Sequence, residues 1–213
     1  MDHKSLQIDE IKKEVLALPE SPLFAFRLEN GYQPVIGEGS LDAEVIFIGE
    51  APGKNEALSG KPFCGRAGKV LDELLGKAGL ERSAVYITNI VKDRPPNNRR
   101  PTPKEVEMYS PFLIKQIEII QPKMIITLGS TAASFMFDYL PLAERDMAFG
   151  EVEGKVIRAR VNRRACLLYP LYHPAYGIYQ CAMLPKMRED FMQIPVLLRG
   201  FVQYDLIDTI KRR

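Results

Sequence analysis

Four short apolar runs punctuate the chain, at residues 45–48, 85–91, 124–128 and 166–172. Each is partly β-branched or aromatic and none alternates cleanly with polar residues, which is the pattern of strands covered on both faces in a parallel sheet. Between them lie amphipathic segments at residues 67–78, 103–120 and 131–139, long enough for crossover helices. Strands alternating with helices predict an α/β sandwich. Helix starts are marked by Thr102-Pro103 with Glu105, an N-cap followed by proline and an early acid, and by Gly129-Ser130. An opening helix is expected over residues 5–17, where Leu6, Ile8, Ile11, Val15, Leu16 and Leu18 fall at helical spacing until Pro19 and Pro22 stop it. Residues 151–161 read as a hairpin with Gly154 in its turn. No repeat, low-complexity tract or boundary interrupts the pattern. The expectation is one domain over residues 1–213, with 1–34 as N-terminal helix and lead-in.

Composition narrows the class. With 213 residues, 46% hydrophobic and 26% charged, the chain is neither disordered nor fibrous. The net charge of +2 means that any affinity for polyanions depends on where the bases sit. Cys64, Cys166 and Cys181 are an odd number without paired spacing, which fits a reducing compartment better than a disulfide framework. The charged N-terminus has no signal-like apolar core, and no apolar stretch is of membrane-spanning length, so an intracellular, cytoplasmic protein is expected.

In such sheets ligands bind beyond the carboxyl ends of the strands. Four segments follow the apolar runs: Gly49-Glu50-Ala51-Pro52-Gly53, Thr88-Asn89, Gly129-Ser130 and His173-Pro174-Ala175. The glycine-rich turn offers backbone amides to an anion, and it also suits a plain strand-to-helix turn. It lacks both the Gly-Lys-Ser/Thr ending of a Walker loop and the G-x-G-x-x-G fingerprint, which leaves a nucleotide-phosphate loop as the weakest reading. Asn89 is either a turn residue bonding its own backbone or an amide whose paired donor and acceptor match a pyrimidine edge. Of the two histidines, His3 lies near the terminus, while Pro174 holds His173 on a loop. Lys92, Arg94, Arg99, Arg100 and Lys104 form one basic run, stiffened by prolines 95, 96, 101 and 103. Lys155, Arg158, Arg160, Arg163 and Arg164 form a second. Basic runs beside a pocket suit phosphate tracking, although such runs are usually solvated faces.

Several collinear motifs share a family-like spacing. They are Gly37-Glu38-Gly39, Gly49-Glu50-Ala51-Pro52-Gly53, Gly60-Lys61-Pro62-Phe63-Cys64-Gly65-Arg66-Ala67-Gly68, Thr88-Asn89-Ile90-Val91-Lys92, Arg94-Pro95-Pro96 with Asn98-Arg99, Pro101-Thr102-Pro103 with Glu105, and His173-Pro174-Ala175. Over residues 35–195 the chain thereby resembles the uracil-DNA glycosylase superfamily, most of all its family 4. The resemblance implies a three-layer α/β/α sandwich with a central four-stranded parallel sheet. It also implies a monofunctional enzyme that flips uracil out of DNA and cleaves its N-glycosidic bond. By the same resemblance Gly49, Gly53 and the Glu50-Ala51 backbone bind the base, Phe63 stacks on it, Asn89 reads N3–H and O4, Glu56 crowds C5 against thymine's methyl, and His173 bonds O2. Lys92, Arg94, Arg99 and Arg100 would hold the DNA.

Three departures qualify that picture. The family's four cluster-binding cysteines correspond to Leu23, Phe26, Asp93 and Tyr109, so no iron–sulfur cluster and no other cofactor is expected, with packing as the replacement staple. Ala51 stands where the best-known glycosylases keep a water-activating aspartate, leaving Glu50 or Glu56 as helpers. After His173-Pro174-Ala175 the usual Leu and Arg wedge gives way to Tyr176, Ile178 and Tyr179, which either fill the gap in the DNA stack or serve as helix-start core. The expectation is a monomer acting on uracil-containing DNA. Its rivals are a glycosylase for another deaminated base, such as hypoxanthine, and a nucleic-acid-binding homologue with weak or lost chemistry.

Overall fold

The apolar runs do form the sheet. A computed structural model describes residues 2–140 and 142–211. Helices α1 (His3–Leu16) and α2 (Phe24–Glu29) lead into β1 (Glu38–Gly39) and β2 (Val45–Gly49). Then come α3 (Lys54–Ser59), α4 (Arg66–Lys77), β3 (Tyr86–Asn89), α5 (Pro103–Ile120), β4 (Met124–Leu128) and α6 (Ser130–Tyr139). The remainder is α7 (Phe149–Val152), β5 (Ile157–Val161), β6 (Arg164–Leu171), α8 (Pro174–Tyr179) and α9 (Leu184–Lys211).

The sheet order is β1-β3-β2-β4-β6-β5. The four inner strands are mutually parallel, as expected, but two antiparallel edge strands bring the described sheet to six. Successive residues of each inner strand face opposite layers. Ile46 and Ile48 pack with Ile11 and Val15 of α1, Leu113 and Ile117 of α5 and Met136 of α6. Val45 and Phe47 pack with Leu71, Leu74 and Leu75 of α4 and Met187 and Phe191 of α9. Burial on both faces is why these strands carry no polar alternation.

The hairpin lies elsewhere than the sequence predicts. Gly154 (φ +71°) follows the short helix α7, and the reversal falls at Asn162 and Arg163, both in the left-handed region (φ 47° and 68°). The alternation of Ile157, Arg158, Ala159, Arg160 and Val161 is that of an edge strand with one covered face, and it pairs antiparallel with β6. Helices α2 and α9 were not expected. Among the described residues no helix is long and apolar enough to cross a membrane.

Candidate active site

Strand β2 ends at Gly49 and β3 at Asn89, and the two residues are register partners. Asn89 is buried at 2% exposure. A Cβ on Gly49 would collide with Asn89 Oδ1 and lie 2.9 Å from Phe63 Cζ, so the missing side chain is what lets amide and ring meet. Phe63 is buried with a left-handed φ of 46°. Behind it Gly68 lets α4 close against the Phe63 carbonyl, which any larger residue would overlap. The Phe63 ring lies 5.5 Å from the His173 ring, tilted by 31°. Strand β4 exits through Gly129, whose amide donates to Leu171 O at 2.8 Å and whose bare Cα makes room for His173 Cβ. The four strand ends therefore gather Gly49, Phe63, Asn89 and His173 into one neighbourhood.

His173 caps α8. Pro174 has no N–H to give, so the first free amide, that of Ala175, donates to His173 Nδ1 at 3.1 Å. With Nδ1 accepting, the neutral ring carries its proton on Nε2 and presents a donor there. Burial pushes its pKa down to about 4. At neutral pH this imidazole is an uncharged hydrogen-bond donor.

The glycine-rich turn carries no carboxylate at Ala51, which is half-buried. Glu50 is partly exposed, with Oε2 at 3.8 Å from Arg100 Nε. The Glu56 carboxylate accepts from the Gly53 amide at the start of α3 and from the Phe63 amide. Burial raises its pKa against these bonds and the charge of Arg82. Expected as a wall against C5, Glu56 in the structure spends its carboxylate on the loop backbone and joins Gly53 to Phe63.

Lys92 requires a correction. Rather than reaching out to phosphate it is wholly buried, with Nζ donating to Thr88 Oγ1 (2.8 Å), Asn89 O (2.7 Å) and Gln116 Oε1 (2.6 Å). No donor is left for DNA. The rest of the run forms a braced arm. Arg94 bonds Asn98 Oδ1 (2.7 Å) and Tyr32 OH (2.8 Å). Arg99 makes a two-pronged bond to Glu105 (2.8 and 2.6 Å), whose carboxylate also closes the Thr102 capping box. Arg100 keeps 72% of its side chain exposed. Tyr176 and Tyr179 are exposed, at 39% and 78%, and Ile178 is partly buried; Tyr176 stacks on Tyr172 at 4.8 Å. The Arg163 and Arg164 end of the second basic run is not beside the site, whereas Lys155 follows Gly154, whose amide donates to Pro170 O near the carboxyl end of β6. Arg163 and Arg164 sit at the amino end of β6, whereas His173 follows its carboxyl end.

The residues at the four cluster positions do not suit an iron–sulfur centre. Leu23 is buried core. Asp93 Oδ2 accepts from Arg27 (2.8 Å) and from Tyr109 OH (2.6 Å), and Tyr109 OH also meets Ser21 Oγ at 2.7 Å. Arg27 donates further to the carbonyls of Val15 and Leu16. Burial pushes the Asp93 carboxyl up, opposed by its bonds to Tyr109 and Arg27, and Oδ1 is buried without a partner. Cluster ligation needs thiolates, and this pocket supplies a guanidinium, a carboxyl and two hydroxyls. Among the described residues no group of three or more His, Cys, Asp and Glu side chains is arranged to hold a metal ion.

Sequence reasoning missed Arg27 and Gln116, and it placed Gly68 in a motif without its packing role. Gln116 left a signal, being a lone amide on the apolar stripe of Phe112, Leu113, Ile117 and Ile120. Known proteins are similar to this chain over most of its length. Residues 36–194 match the family model of the uracil DNA glycosylase superfamily. The chain is 40% identical to a type-4 uracil-DNA glycosylase of Archaeoglobus fulgidus, over 95% of this chain and 98% of the relative. It is 41% identical to that of Saccharolobus solfataricus, over 95% and 93%, and 45% identical to that of Thermotoga maritima, over 67% and 70%.

Proposed function

The chain belongs to the uracil-DNA glycosylase superfamily, and from that premise we propose that it extrudes uracil from DNA and hydrolyses its N-glycosidic bond with the side chains gathered at the strand ends. The observation that carries this reading is that Asn89 and Phe63 meet over the bare Gly49 and that the Phe63 ring lies 5.5 Å from that of His173. The Asn89 amide matches the N3–H and O4 edge of uracil, and Phe63 supplies an apolar ring to recover the stacking lost on extrusion. As the bond breaks, negative charge develops on the departing base. A neutral Nε2–H aimed at O2 stabilises that charge more than it stabilises the bound substrate. The backbone of the Gly49–Gly53 turn adds further dipoles.

No carboxylate stands at Ala51, so the reaction leans on stabilising the leaving group, with the partly exposed Glu50 available to orient water. Arg94 and Arg100 meet phosphates, while Tyr176 and Tyr179 fill the vacated stack. The enzyme works in the cytoplasm as a single-domain monomer, without a metal cluster.

A uracil-containing oligonucleotide, treated with enzyme and then alkali, tests the reading. Cleavage is expected with the wild type and only background with the Asn89→Ala, His173→Ala double variant; equal cleavage by both removes the proposed roles. Thymine and hypoxanthine substrates in the same assay define the base range. Iron analysis of protein purified anaerobically from iron-replete cells tests the missing cluster. Stoichiometric iron with a visible absorption band would overturn it.

A further inference from the structure

Beneath the strand end that carries Asn89 lies a closed polar network with no carboxylate in it. The Lys92 ammonium has three protons and three acceptors, Thr88 Oγ1, Asn89 O and Gln116 Oε1, all at 2.6–2.8 Å. Gln116 Nε2 in turn donates to Ile36 O (2.8 Å) and meets Tyr86 OH (3.0 Å), and Thr88 Oγ1 donates to Ile36 O at 2.7 Å. Lys92, Thr88 and Gln116 are each 0% exposed. The Lys92 carbonyl also accepts from the Val35 amide at 2.8 Å. Asp93, next along the chain, faces Arg27 and Tyr109 and takes no part.

An unpaired buried ammonium is costly, and burial drives the Lys92 pKa well below its ordinary value. Nothing about packing alone calls for a lysine here, since an apolar chain of similar length would fill the volume without that cost. What an apolar chain cannot do is grip a carbonyl. The bond to Asn89 O fixes the backbone of the residue whose side-chain oxygen sits over the bare Cα of Gly49.

We propose that Lys92, braced by Gln116 and Thr88, is a positioning residue for the base-reading amide of Asn89. It touches no substrate and acts by keeping that amide in one orientation. The proposal rests on the reading of Asn89 given above, and the test separates the two.

Single-turnover excision of uracil from an oligonucleotide is measured for Lys92→Met, Gln116→Leu, Asn89→Ala and the pairwise doubles, beside the melting temperature of each and its affinity for abasic product DNA. Lys92→Met and Gln116→Leu are expected to slow excision by up to on the order of 10²-fold, the scale of a misplaced reacting group. Product affinity should be nearly unchanged. The losses should not multiply: Lys92→Met with Asn89→Ala should fall within about threefold of Asn89→Ala alone, because one group acts through the other. A merely structural lysine would lower the melting temperature without that coupling. If Lys92→Met does not fold, the Gln116→Leu cycle gives the same reading. Folded Lys92 and Gln116 variants at wild-type rate, or losses that multiply with that of Asn89→Ala, overturn the proposal. Asn89→Ala at wild-type rate overturns the reading of Asn89 first, and the proposal with it.

Discussion

Gly49 contributes by having no side chain. A methyl group there meets Asn89 Oδ1 and the Phe63 ring, and both can yield only by turning their reading surfaces away. The backbone is ordinary strand, so Gly49→Ala is expected to fold, losing about 1–3 kcal/mol to overpacking while excision drops on the order of 10²-fold. Melting temperature and single-turnover rate, measured together, check this; near-wild-type excision would mean that neither neighbour matters. His173 gives a pH prediction. Its folded pKa of about 4 lies below the ordinary 6.5, so its neutral form stabilises the fold at neutral pH, a contribution lost as pH falls from about 6.5 through about 4. A second proton would sit on Nδ1, facing the Ala175 amide, and break the cap. Histidine titration should therefore leave excision flat between about pH 5.5 and 8, with a loss near 4. A half-maximal point near 6.5, absent in His173→Ala, would show an ordinary exposed imidazole instead.

At the scale of elements, the segment after β3 is held by two polar knots placed back to back, Lys92 in one and Asp93 in the other. The second ties the chain before α2, the exit of β3 and helix α5 through Ser21, Arg27, Asp93 and Tyr109. These are the segments that the family's cluster cysteines would join, so an ion pair with two hydroxyls stands where the family keeps thiolates. Apolar packing, the replacement expected from Leu23, Phe26 and Tyr109, is only part of it, since Arg27 gave no signal of its burial. Asp93→Asn leaves the buried guanidinium without its counter-charge and should cost about 3–5 kcal/mol, on the order of 10 °C in melting temperature for a chain of this length. Tyr109→Phe should cost about 1–3 kcal/mol. Thermal unfolding checks both, and chelator should leave the wild type unmoved. An Asp93→Asn protein as stable as the wild type would show that the knot holds nothing.

Across the whole molecule, the sequence revealed what is repeated and hid what is single. The four inner strands were legible because a sheet buried on both faces writes continuous apolar runs, and α5 because Thr102, Pro103 and Glu105 mark its start. Strand β1 is two residues long, too short for any period, and β5 read as half of a hairpin because Gly154 looked like the turn that Asn162 and Arg163 supply. Gly49, Asn89 and His173 were legible as strand-end residues of special type, whereas Phe63, in the loop between α3 and α4, was legible only through the resemblance. Lys92 was misread because a lysine beside Arg94 and Arg99 looks solvated, and only the three-dimensional route of the chain turns it inward. Position within the sheet also decides which bases meet DNA. Residues 164–171 of β6 span roughly 23 Å at the rise of an extended strand, several times the screening length of about 8 Å at physiological salt. The exposed Arg163 and Arg164 are therefore decoupled from a strand held at the opposite end, while Arg100 lies beside Glu50 at the site. Arg100→Ala should reduce the slope of log affinity against log salt by about 0.7 on single-stranded DNA. An Arg163→Ala, Arg164→Ala protein should keep the wild-type slope, because neither side chain displaces a counterion from the bound segment. Fluorescence anisotropy over a salt series distinguishes the two variants. A slope lowered by the hairpin pair and untouched by Arg100→Ala would mean that DNA runs along the amino ends of the strands, away from Asn89 and His173.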